Sequence, residues 1–154
     1  MIVLAIDPGR SKCGVAVCTP RDDSDRPRIL HREVVPTDKL VVNVTAMVDA
    51  HKPDVVLIGD GTQSATLRKA VAKVLPDGLA FHEVPEAFTS QRVRARLQKE
   101  WLPKGLIRLL PTGMRPPPKA YDDYVAALLA EDWLLAQKHK VEVGQEEGNP
   151  PRDL

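Results

Sequence analysis

Residues 2–7 read IVLAID, an unbroken apolar run that ends on an aspartate and is followed at once by Pro8 and Gly9. A run of this kind is typical of a strand that is buried on both faces, and a Pro-Gly pair ends such a strand in a tight turn. The segment therefore predicts a central strand with a carboxylate, Asp7, at its end. That carboxylate either stabilises the turn or belongs to a site that opens at the end of the strand.

The remainder of the chain alternates between strands and helices. Short strands at residues 13–18 and 29–35 follow the turn, and short loops join them to the first strand as an antiparallel meander. Thr37 is predicted to cap the helix that comes next. The later predicted elements are a strand at 54–59, a helix from Ser64 or Thr66 to about residue 75, a strand at 79–84, a helix from Thr89 to about residue 101 and a helix from about residue 121 to 138.

Helix crossovers between the later strands require parallel pairing. The sequence thus predicts an α/β fold: a five-stranded mixed sheet with strands 1–3 antiparallel, strands 1, 4 and 5 parallel, and helices on both faces. Residues 1–139 form one domain in this interpretation, and the polar residues 140–154 are predicted to be a disordered tail.

The net charge leaves the binding partner open, whereas the cysteine content bears on the cellular compartment. The 22 Lys and Arg residues nearly balance the 21 Asp and Glu residues, so the net charge of +1 neither requires nor excludes a polyanion. Residues 92–108 are strongly basic and form either a phosphate-binding surface or a solvated helix face. Cys13 and Cys18 are five apart in one strand, so they should lie on opposite faces as free thiols. With no signal peptide and no apolar run of membrane-spanning length, this indicates a cytoplasmic protein.

Carboxylates recur where predicted elements end or begin. Asp60 follows the fourth strand and Glu86 the fifth, so both should share one edge of the sheet with Asp7. Asp122 and Asp123 open the last helix, whose start can lie over the same edge. Each has a local explanation as well, in a turn or at the favourable end of a helix dipole. Four acid sites together, however, repel one another unless hard divalent cations neutralise them, and such clusters suit two-metal phosphodiester hydrolysis.

Several segments resemble the ribonuclease H-like superfamily in its RuvC and YqgF branches. AIDPGRSKCGVAV is similar to the first-strand signature, and YDDYVAALLAE to the closing helix that carries the last catalytic aspartate. PEAFTSQRVRARL resembles the YqgF motif that enters a helix, with Glu86 at its glutamate, although Pro85 and Ala87 stand where that motif has an acid and an arginine. GDGTQS and WLPKG with RLLPTGMRPPP are similar to YqgF-like proteins described as resolvases. The resemblance covers residues 2–135.

This resemblance implies a structure-selective nuclease that depends on Mg²⁺ or Mn²⁺. Its nucleic-acid partner would be branched DNA, as in Holliday junction resolution, or structured RNA, as in maturation of the 16S rRNA 5′ end; RuvC relatives form homodimers. It implies Asp7, Glu86 and Asp122 as metal ligands, with Asp60 and Asp123 as auxiliary acids of the catalytic site. The candidate nucleic-acid-binding residues, for which plain solvent exposure is the alternative, are Arg10, Lys12, Arg92, Arg94, Arg96, Arg115 and Lys119.

Two other classes of function compete with a nuclease. A non-catalytic nucleic-acid-binding module on a degenerate nuclease fold would bind RNA or junction DNA without metal-dependent cleavage. A nucleotide-binding domain of the actin–hexokinase type has a phosphate loop similar to DPGRSKCGVAV, but those proteins need two such domains and this chain of 154 residues has one. ATP binding would distinguish that class.

Overall fold

A five-stranded mixed sheet forms the centre of the computed structural model, which describes residues 1–23, 26–61, 64–85 and 122–146. The strand order is β3-β2-β1-β4-β5, in which β1 pairs antiparallel with β2 and parallel with β4. β3 is antiparallel to β2, and β5 is parallel to β4. The predicted mixed sheet is therefore confirmed. The strands are β1 (Val3–Asp7), β2 (Lys12–Thr19), β3 (Arg28–Pro36), β4 (Val55–Gly59) and β5 (Ala80–Val84); the helices are α1 (Leu40–His51), α2 (Ser64–Ala72) and α3 (Asp122–Glu146).

The central strand divides its side chains between two apolar cores. Leu4 and Ile6 belong to a cluster completed by α1 and α2, whereas Val3 and Ala5 belong to a cluster completed by α3. All four side chains are fully buried. Burying a side chain of valine or leucine size contributes about 1.5–3 kcal/mol, which explains why an unbroken apolar run is needed here. We call the two sides of the sheet the α1 face and the α3 face.

Helix α1 packs through a single apolar stripe. Leu40, Val44 and Val48 recur at intervals of four and are buried, while Val42, on the other side of the helix, is 70% exposed. On the opposite side of the sheet, Ala126, Ala130 and Leu134 of α3 repeat the same spacing and join the second core. Helices thus cover both faces, as predicted. None of the helices in the described residues is both long enough and apolar enough to cross a membrane.

Two helix boundaries differ from the predictions. Helix α3 continues to Glu146, eight residues past its predicted end at Lys138. Residues 139–146 are polar, but they contain no proline and several good helix formers, so nothing in them stops a helix that is already propagating. Helix α2 ends at Ala72, short of the predicted residue 75. Residues 147–154 of the predicted tail, like the predicted helix at 89–101, lie outside the described residues.

The prediction that Thr37 caps a helix is wrong. Thr37 opens a short 3-10 turn, Thr37–Lys39, that leads into α1, and no side-chain hydrogen bond caps either element. Its hydroxyl instead donates to the carbonyl oxygen of Gly9, 28 residues earlier, at 3.0 Å. The Thr37 hydroxyl therefore bonds to a carbonyl oxygen that is distant in sequence, whereas a capping hydroxyl would accept from a local backbone N–H.

The two cysteines lie on opposite faces of β2, as predicted, and both are free and buried. Cys18 belongs to the core on the α3 face, which also receives Glu131, the one charged residue buried among those described. Burial first, and then the nearby negative charge of Glu131, raises the pKa of the Cys18 thiol to about 12. The neutral thiol is therefore the form that the folded protein accommodates.

We expect this thiol to make folding stability sensitive to alkaline pH. The folded pKa lies above the ordinary thiol value of 9.0, so the folded protein retains a proton that the unfolded chain loses, and stability falls as the pH rises through this interval. Between pH 8 and pH 10 the wild type should lose about 1 kcal/mol more unfolding free energy than Cys18→Ala does. Urea denaturation of both proteins in reducing buffer measures this difference. Equal pH dependences in the two proteins would contradict the assignment.

Candidate active site

The carboxyl ends of the three parallel strands meet at one edge of the sheet. Asp7 is the last residue of β1, and Ile6 before it lies opposite Ile58 of β4. Asp60 comes directly after β4, and its backbone N–H donates to the Val84 carbonyl oxygen at 3.0 Å, which extends the ladder between β4 and β5 by one bond. The strand neighbours that the sequence predicted thus bring the backbones of Asp7 and Asp60 to the same edge.

The two acids differ in how they are held. Asp7 is still part of the sheet, and strand alternation puts it on the α3 face with Val3 and Ala5. It is partly buried, whereas Asp60 is exposed and lies beyond the end of its strand. The partner of Asp7 across the β1–β2 ladder is Gly14, which has no side chain to cover it. Asp7 therefore has a backbone position that the sheet fixes.

Helix α3 begins with a second pair of acids. Asp122 and Asp123 are its first two residues. Position 122 lies four residues before Ala126 and so continues the i, i+4 series of Ala126, Ala130 and Leu134 on the same side of the helix. Those three residues pack in the core on the α3 face. The start of this helix and the carboxylate of Asp7 are consequently on the same side of the sheet.

The turn after Asp7 exposes three polar side chains. Arg10, Ser11 and Lys12 are all exposed; Arg10 and Ser11 lie in the connection from β1 to β2, and Lys12 is the first residue of β2. The turn is tight: a Cβ atom built on Gly9 would overlap the carbonyl oxygen of Lys12. Two exposed cations thus follow closely in sequence on an acid whose backbone is fixed in the sheet, an arrangement that can receive a phosphodiester.

The remaining predicted site residues lie outside the described residues: Glu86, Arg92, Arg94, Arg96, Arg115 and Lys119. Among the described residues, no three His, Cys, Asp or Glu side chains form a group that could hold a metal ion. Asp7 and Asp60 supply hard carboxylate oxygens, the donor type that Mg²⁺ and Mn²⁺ prefer. Their chemistry fits such an ion, and further ligands are needed to complete a site.

Sequence reasoning missed one residue that organises this edge. Thr37 binds the turn through both its backbone and its side chain, since its N–H donates to the Ser11 carbonyl oxygen and its hydroxyl to that of Gly9, each at 3.0 Å. The only available signal was a threonine directly after a predicted strand, which is also the pattern of a helix cap. Local pattern therefore pointed to the wrong partner.

The strand order and pairing define a ribonuclease H-like α/β fold. The structure is similar to Thermus thermophilus RuvC, with a TM-score of 0.57 and 18% identity over 84% of this chain and 91% of that one. It is also similar to T. thermophilus RuvC in complex with a Holliday junction substrate (TM-score 0.51, 18% identity, 85% and 91% covered). A third similar structure is the Fowlpox virus resolvase with its substrate Holliday junction DNA (TM-score 0.54, 14% identity, 88% and 99% covered).

At these identities the similarity establishes the fold. No family model matches the chain, and no curated protein matches it either. The relationship to these resolvases is therefore visible in the arrangement of the strands and helices, and the resemblance to the YqgF branch stays a prediction.

The tight turn beside Asp7 gives a direct test of its geometry. Gly9→Ala should destabilise the protein by about 1–3 kcal/mol, because the added Cβ forces the Lys12 carbonyl to move. Gly78→Ala is the matched control: Gly78 has a φ of 83° but open space around its Cβ position, so only the backbone strain of about 1 kcal/mol applies. Urea denaturation measures both. A Gly9→Ala protein no less stable than Gly78→Ala would show that the turn is not constrained as described.

Proposed function

We propose that this chain is a divalent-metal-dependent, structure-selective nuclease that hydrolyses phosphodiester bonds in nucleic acid. The observation that carries the proposal is Asp7, a partly buried acid at the end of the central strand. It shares an edge with Asp60 and a face of the sheet with the helix that Asp122 begins. The similarly folded T. thermophilus RuvC and Fowlpox virus resolvase, both seen with Holliday junction substrates, support a branched nucleic acid as the substrate.

The lengths of two segments, one in α3 and one in β1, support Asp122 as a partner of Asp7. Glu131 lies close enough to Cys18 to raise its pKa, and Cys18 pairs with Val3 at the far end of β1. Nine helical residues, from Glu131 back to Asp122, span about 13 Å. The four steps of β1 from Val3 to Asp7 also span about 13 Å. The two lengths match, so a helix that runs along β1 from Asp122 to Glu131 would begin near the level of Asp7, which supports the pairing of these two acids.

We assign Asp7, Glu86 and Asp122 as the metal ligands, with Asp60 and Asp123 as auxiliary acids. When bound, the two ions would activate a water molecule and stabilise the leaving oxygen. Asp7 contributes a carboxylate that its ladder to Gly14 keeps in place without the substrate. Arg10 and Lys12 are assigned to bind the phosphate backbone from the exposed turn. The further nucleic-acid contacts in this proposal are Arg92, Arg94, Arg96, Arg115 and Lys119.

The resemblance to the YqgF branch extends the proposal to RNA. Structured RNA, such as the precursor of 16S rRNA, is then a second substrate class besides branched DNA. The turn residues contact phosphates, which both nucleic acids share, so the same cations serve either substrate. A panel of substrates separates the two.

Asp7→Asn should abolish cleavage while leaving the fold intact. The amide keeps the size of the side chain but removes the charge that holds a cation, so the rate should fall at least about 100-fold. The assay offers a four-way DNA junction, a structured RNA and a single-stranded RNA, each with Mg²⁺ and with Mn²⁺. Asp77→Asn, an exposed acid in the connection between α2 and β5, is the matched control and should cleave like the wild type.

The panel also decides between the proposal and its alternatives. Undiminished cleavage by Asp7→Asn would remove Asp7 from the catalytic site. Binding of junction or RNA by the wild type without cleavage in either metal would identify a non-catalytic binding module instead.

A further inference from the structure

Thr37 ties the end of β3 to the turn that follows Asp7. Its N–H donates to the carbonyl oxygen of Ser11 and its hydroxyl to the carbonyl oxygen of Gly9, each at 3.0 Å. These two carbonyls flank Arg10 in the chain. One residue therefore holds the turn on both sides of an exposed arginine.

The hydroxyl of Thr37 is partly buried, next to a buried thiol. The sulfur of Cys13, which is fully buried, lies 3.5 Å from the hydroxyl oxygen and 3.9 Å from the Gly9 carbonyl oxygen. Thiols are weak donors, so the hydroxyl is the stronger of the two donors near that carbonyl. Removing the hydroxyl alone should therefore loosen the turn without emptying the space beneath it.

The backbone of Asp7 is held by the sheet. It is paired with Gly14 in the β1–β2 ladder, and Ile6 before it is paired with both β2 and β4. The acid is consequently held by the sheet, while the turn from Pro8 to Ser11 is held by Thr37. Two neighbouring parts of the candidate site have separate supports.

We propose that Thr37 is a positioning residue that holds Arg10 and Lys12 in place to bind the phosphate backbone of the substrate. This inference rests on the proposed function. It assigns substrate affinity to the Thr37 contact and the chemical step to Asp7. Loss of the Thr37 hydroxyl should accordingly change KM and leave kcat nearly unaltered.

The test compares three variants at threonine positions. Thr37→Val should raise KM, and the Kd of a labelled four-way DNA junction or structured RNA, about 3–10-fold, the effect of one lost hydrogen bond. Its kcat should stay within about twofold of wild type. Thr37→Ser keeps the hydroxyl and should restore the wild-type values. Thr45→Val is the matched control, because the Thr45 hydroxyl also donates to a backbone carbonyl, that of Val41 at 3.0 Å, but on the exposed side of α1.

Salt dependence and a double-mutant cycle separate positioning from a general loss of stability. If Arg10 or Lys12 loses a phosphate contact, the slope of log Kd against log salt concentration should become shallower by about one in Thr37→Val. Thr37→Val should also add little to the loss caused by Arg10→Ala, because both changes remove the same contact. Additive effects with an unchanged salt slope would overturn the inference.

Hydrogen exchange tests the contact apart from activity. Amides of residues 9–12 should exchange faster in Thr37→Val than in the wild type, and those of β1 should not. Unchanged exchange in the turn would overturn the inference even in an active nuclease. A wild type that neither binds nor cleaves any member of the panel would overturn the proposed function, and this inference with it, before any variant is compared.

Discussion

The burial of β1 on both faces is the constraint on which the rest of the structure depends. Its side chains alternate between two cores, so one layer of helices must cover each face. The strand is also paired on both sides, with β2 and β4, which leaves its ends as the only places where it can meet solvent. Asp7 occupies the end that lies at the carboxyl edge. The acid is thus placed by the same packing that stabilises the fold.

Much of this architecture could be predicted from the sequence because it depends on patterns of two kinds. The unbroken apolar run of residues 2–6 marks a strand covered on both sides, and the crossovers after residue 36 require parallel neighbours. Together they predict that strands 1, 4 and 5 run parallel, which puts Asp7 and Asp60 at a common edge; the structure gives the order β1-β4-β5. The odd spacing of Cys13 and Cys18 likewise placed one in each core.

What could not be predicted depends on contacts between distant residues. Thr37 has the local signature of a helix cap, but its hydroxyl binds Gly9, and no pattern in residues 35–41 reveals an acceptor 28 positions away. The tightness of the turn at Gly9 is equally a property of where Lys12 returns. The end of α3 differs from the prediction for another reason: the polar composition of residues 139–146 favours a disordered tail, whereas a helix that is already packed continues through polar helix formers.

In the proposed nuclease, separate backbone supports for Asp7 and for the turn matter because the site would have two tasks, holding a cation and binding a phosphate backbone. A carboxylate that holds a cation needs to be fixed to within about 0.5 Å, and a paired strand between two cores provides that rigidity. Contact with a phosphate backbone needs exposed cations on a surface that the substrate can reach, which a paired central strand cannot offer. The turn provides such a surface, and Thr37 restrains its backbone through two hydrogen bonds. Neither bond involves the backbone pairing of Asp7 with Gly14. In the proposed nuclease, substitutions in the turn would therefore alter the contacts with the substrate without moving the backbone of Asp7.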